Sequence, residues 1–68
     1  MEEAKFYILA WHDEGETNRA ETIWEGVSPE EARKRFEEAE FTDNIWMIEA
    51  WINHSEYGED IKLMSKWQ

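Results

Sequence analysis

The stretch Asn44–His54, NIWMIEAWINH, constrains this chain more than any other. As an extended strand it divides into two alternating sets, Ile45, Met47, Glu49, Trp51 and Trp46, Ile48, Ala50, Ile52. Both sets are largely apolar, the pattern of a strand with cover on each face. Ile45, Ile48 and Ile52 also fit helical spacing. The richness in Ile and Trp favours the strand, as does the polar break of Phe41–Asn44 ahead of the run.

A second doubly apolar run, Lys5–His12, predicts another interior strand, with Phe6, Ile8, Ala10 on one face and Tyr7, Leu9, Trp11 on the other. Asp13–Arg19 reads as a turn, with Gly15 and Asn18 as breakers. Ala20–Val27 then returns as the other arm of a hairpin. Its alternation of Glu21, Ile23, Glu25 with Thr22, Trp24, Gly26 makes one face wetter and suits an edge. Ile61–Trp67 is the last strand, reached through the turn Ser55–Asp60. It is half-polar, and Lys62 and Lys66 suit a second edge.

Between the hairpins, Ser28–Glu40 predicts the single helix. Ser28 is the N-cap, Pro29 takes the first helical position, and Glu31 completes a capping box. Val27 and Ala32 occupy the staple positions. Ala32, Phe36 and Ala39 form a thin apolar stripe. Four i,i+4 pairs of opposite charge, Glu30–Lys34, Glu31–Arg35, Arg33–Glu37 and Lys34–Glu38, line the other faces.

The expected fold is therefore α+β: a single domain over residues 1–68, ββαββ, with a four-stranded antiparallel sheet in order 2-1-3-4 and one helix on one face. One helix covers only one face of such a sheet. The other would carry Tyr7, Leu9, Trp11, Trp46 or Trp51, an apolar patch of the kind that marks an interface. Homodimerisation through these residues is the simplest way to cover it, and a domain of 68 residues gains burial by pairing.

Charge gives the lead to function. The chain carries 17 acids and 7 bases, a net charge of −10. Disordered acidic chains are poor in aromatics, whereas aromatics make up 15% of this one, with five tryptophans. A folded acidic domain follows. Its acidity argues against direct contact with nucleic acid or an anionic membrane and favours a basic partner. The helix holds five acids against three bases, so −8 of the −10 lies outside it. That surplus falls on turns and one edge strand, with one acid in the central run: Asp13, Glu14, Glu16, Glu21, Glu25, Asp43, Glu49, Glu56, Glu59 and Asp60. These are the candidate partner-binding residues, and a dimer doubles the charge to −20 (2 × −10).

Catalytic signatures are absent. His12 and His54 each have acids nearby in sequence but match no zinc spacing. The acidic turns lack the ligand alternation of a calcium loop. No nucleophile elbow or phosphate-binding glycine loop occurs. No cofactor, metal or enzymatic activity is expected. With no cysteine and no signal peptide at the start of the given sequence, a cytoplasmic protein is expected.

The succession FYILAW, DEGE, ETIWEG, SPEEARKRFEEAE and NIWMIEAWI resembles small acidic DNA-mimic proteins encoded by phages. The layout is similar to inhibitors of uracil-DNA glycosylase. In size and charge the chain is also similar to phage proteins that block the nucleoid protein HU and to some anti-CRISPR proteins. The resemblance implies an acidic homodimer that titrates a basic host DNA-binding protein in the host cytoplasm. It also implies, for a glycosylase inhibitor, an apolar pocket for an inserted side chain. The alternative is a structural or accessory protein that docks through its open sheet face.

Overall fold

A computed structural model describes residues 4–42, 44–54 and 58–68. Five elements follow in the expected order: β1 (Lys5–Glu14), β2 (Thr17–Gly26), α1 (Pro29–Glu38), β3 (Ile45–His54) and β4 (Glu59–Trp67). The strands form one antiparallel sheet in the order β2-β1-β3-β4. The doubly apolar strands thus occupy the interior and the half-polar strands the edges. The slab measures 42 × 24 × 14 Å.

The first hairpin is tighter than the sequence suggests. β1 and β2 run on to a two-residue turn at Gly15–Glu16, so most of Asp13–Arg19 is strand. Gly15 has φ +79° and Glu16 a negative φ, the combination of a type II′ hairpin turn. The Gly15 N–H also donates to Asp13 Oδ1 at 3.2 Å.

The helix starts where its capping residues put it. Ser28 Oγ accepts from the Glu31 N–H at 3.2 Å. Glu31 does not return the bond in a full capping box; its carboxylate lies 4.0 Å from Arg35. Val27 is 55% exposed, which leaves the staple weak. Of the four expected i,i+4 pairs, Arg33–Glu37 and Arg35–Glu31 are formed. At the C-terminus, extended Ala39 ends the helix and Lys66 of β4 supplies a cap. Its Nζ donates to the Ala39 carbonyl at 2.7 Å and lies 5.1 Å from the Phe36 ring centroid.

The core lies between α1 and the sheet. Ile8, Ala10, Phe36, Ile45, Ile48 and Ala50 are buried together, with Trp24, Ala39, Phe41 and Met64 packed around them. Gly26 leaves room for Trp24, since a Cβ there would come within 2.6 Å of the indole. The helix packs over β2, β1 and β3 but not over β4.

Each strand pair contains a β-bulge, and these change which residues share a face. Ile23 is the extra residue in β2, Trp46 in β3 and Leu63 in β4. Strict alternation placed Ile45 with Met47 and Trp51. The bulge at Trp46 instead carries Ile45 to the helix side, beside Ile48. In β4 the bulge separates the two lysines: Lys66 reaches the helix, whereas Lys62 points to the opposite face.

Candidate partner-binding surface

On the face opposite the helix, register places Tyr7, Leu9 and Trp11 of β1 beside Met47, Glu49 and Trp51 of β3. Lys62 and Trp67 of β4 pair with Trp51 and Met47, and Glu25 and Thr22 of β2 pair with Tyr7 and Leu9. Glu49 lies at the centre and is 4% exposed. Its Oε1 accepts from two indoles, Trp11 Nε1 at 2.6 Å and Trp51 Nε1 at 3.1 Å. Its Oε2 faces Lys62 Nζ at 3.6 Å. A buried carboxylate needs such donors to offset lost hydration, and here they come from both neighbouring strands.

The Tyr7 and Trp51 rings, cross-strand partners, stack at 6.3 Å between centroids with planes 5° apart. The Tyr7 hydroxyl donates to Asp60 Oδ2 at 2.6 Å, and the Asn53 amide donates to Asp60 Oδ1. Burial and then the bond to Asp60 push the Tyr7 phenol from its ordinary value of 10.0 up to about 12. The Asp60 carboxyl is held below its ordinary value, first by Tyr7 and then by Asn53.

Of the residues expected at a dimer interface, Tyr7, Leu9, Trp11 and Trp51 therefore share this open face. All four are half-buried by one another and by the strands themselves. Trp46 sits at the β3 bulge instead, half-buried, and its indole N–H meets no acceptor among the described residues. The expectation of a second copy rested on a bare apolar face; this face is partly roofed by its own aromatic side chains.

The candidate acids are dispersed. Asp13, Glu14 and Glu16 are exposed at the β1–β2 tip, Glu21 and Glu25 on edge strand β2, and Glu59 and Asp60 at the start of β4. Asp43 and Glu56 lie outside the described residues. Glu49 stands apart from the set, since its carboxylate is turned inward onto Trp11, Trp51 and Lys62. Glu21 pairs with His12 at 3.0 Å and Glu14 with Arg19 at 3.2 Å. Among the described residues, Asp13, Glu16, Glu25, Glu59 and Asp60 have no basic partner.

The sequence reading missed the part that Glu49 plays. The signal was present: Glu49 is the only acid within the most apolar run of the chain, where a lone carboxylate requires nearby donors.

An open groove of about 290 Å³ runs between α1 and β2, lined by Ile8, Ile23, Trp24, Arg35, Glu38 and Ala39. Among the described residues no three of His, Asp or Glu converge to hold a metal ion. No helix among them is long and apolar enough to cross a membrane. No protein-family model, no curated protein and no solved structure matches the chain.

Proposed function

We propose that this chain is a non-catalytic acidic protein that binds a basic DNA-binding protein and occupies its DNA site in place of DNA. The observation that carries the reading is the disposition of charge. Five of the seven basic side chains are engaged within the chain: Arg19, Arg33, Arg35 and Lys62 with carboxylates, and Lys66 with helix carbonyls. Exposed ion pairs of this kind add little stability. They do consume cations, so among the described residues Asp13, Glu16, Glu25, Glu59 and Asp60 face solvent with no base beside them on a long, thin slab.

Outward carboxylates spread along a sheet attract a basic surface at long range and compete with phosphates for it. The resemblance to phage DNA mimics supports a target such as the nucleoid protein HU or a DNA-repair or defence protein. The test is displacement of labelled duplex DNA from a purified basic bacterial DNA-binding protein. Release at physiological salt that fades steeply as salt rises supports the reading. No release from any such protein contradicts it.

A second reading, an accessory protein docking through its open sheet face, draws on the aromatic cluster around Glu49. Docking of that kind depends little on salt, so the same titration separates the two.

A further inference from the structure

We propose that the sheet face opposite the helix is the docking surface for an arginine-rich segment of that basic partner, an assignment that rests on the reading above. The other surfaces are poorly suited. Both edge strands carry a bulge, at Ile23 in β2 and Leu63 in β4. A bulge interrupts the row of free backbone groups that strand addition requires. The helix covers the opposite face over three strands, and its own outer surface is mixed in sign.

The open face joins two features that one kind of side chain satisfies together. The Tyr7–Trp51 stack and the Trp11 indole offer aromatic surface. Two carboxylates flank that surface: Glu25 lies opposite Tyr7 on β2 and Asp60 takes the Tyr7 hydroxyl, while Glu49, buried beneath the indoles, adds only its charge. A guanidinium stacks on aromatic rings through its flat face and bonds carboxylates through its edge, whereas an ammonium does only the second well. Charge also selects the occupant. A second copy brings carboxylates against carboxylates and a net −10 against −10, and a nucleic acid meets the same repulsion.

The test uses the full chain, isotopically labelled, titrated with octa-arginine and octa-lysine peptides at physiological salt. Octa-arginine should move the indole N–H signals of Trp11 and Trp51 and bind at least about threefold more tightly than octa-lysine. Trp51→Leu, checked for folding by circular dichroism, should weaken octa-arginine by about tenfold, the effect of removing an aromatic anchor. Shifts confined to the Gly15–Glu16 tip, or equal affinity for the two peptides, overturn the proposal even if the variant fails to fold. A wild-type dimer that octa-arginine does not dissociate, with the same indoles in its interface, also overturns it.

DNA release by Trp51→Leu separates the two levels of the account. Full release by a folded variant overturns this docking face and leaves DNA mimicry standing. No release by the wild type overturns the mimicry, and with it the partner assigned here, whatever the peptides do.

Discussion

The indole N–H of Trp11 donates to the Glu49 carboxylate across 2.6 Å, and this bond ties the two central strands together on the face that the helix leaves open. A second indole, Trp51, shares the same oxygen. Glu49→Ala leaves two indole donors without their acceptor and Lys62 without its carboxylate. The expected loss is roughly 2–3 kcal/mol in urea denaturation. Glu49→Gln, which keeps an acceptor oxygen, should lose less. Equal stability of wild type and Glu49→Ala would show that the network does not hold the strands.

Lys66 links the far edge strand to the end of the helix. Lys66→Met keeps the apolar stem and removes the charge that caps the Ala39 carbonyl and faces Phe36. A loss of ~1 kcal/mol in thermal or chemical unfolding is expected. A variant as stable as the wild type would reduce this contact to simple packing.

Ser28→Ala should destabilise the helix start by ~1 kcal/mol through loss of the bond to the Glu31 N–H. Phe36→Ala should cost more, ~3 kcal/mol or above, because Phe36 is the large helix residue buried against Ile8 and Ile48. The order of the two effects, read from denaturation midpoints at constant m-value, checks whether the helix packs as described.

The same elements show how far the sequence could be read. Strand order followed from two hairpins joined by a helix crossing over the sheet, and apolarity agreed, because only β1 and β3 are apolar on both faces and interior strands need that pattern. The helix start followed from Ser28 and Pro29. The bulges at Ile23, Trp46 and Leu63 could not be read. Each inserts one apolar residue into its strand, and period-2 alternation has no marker for that step. The slip at Trp46 moved Ile45 into the core, and the one at Leu63 sent Lys62 and Lys66 to opposite faces. The acids were legible as a surplus of charge. The inward turn of Glu49 was signalled by its place in the apolar run, but its partners Trp11 and Lys62 were not, since they depend on cross-strand register.

Tyr7 and Asp60 make stability depend on pH in two windows. The Tyr7 phenol is raised to about 12 when folded, so its contribution is intact below its unfolded value and disappears as pH climbs through the folded one. Asp60 is lowered, so its contribution is present above the unfolded carboxylate value and disappears as pH falls through the folded one. Tyr7→Phe should flatten the alkaline limb and weaken the acid limb. Unfolding followed at both extremes checks this, and unchanged limbs would show that the pair is uncoupled from folding.

The central claim is that outward carboxylates, rather than net charge alone, engage a DNA-binding surface. The direct measurement compares two double variants of equal charge in DNA-release competition against one basic DNA-binding protein. Glu16→Lys with Glu25→Lys changes two exposed, unpaired acids of the first hairpin; Glu37→Lys with Glu38→Lys changes the mixed helix surface. Each reversal adds 2, so each double variant carries −10 + 4 = −6. The account predicts that the hairpin variant loses most of the release, chiefly through slower association, while the helix variant stays close to wild type. Equal loss in both, or release undiminished in the hairpin variant, would contradict it.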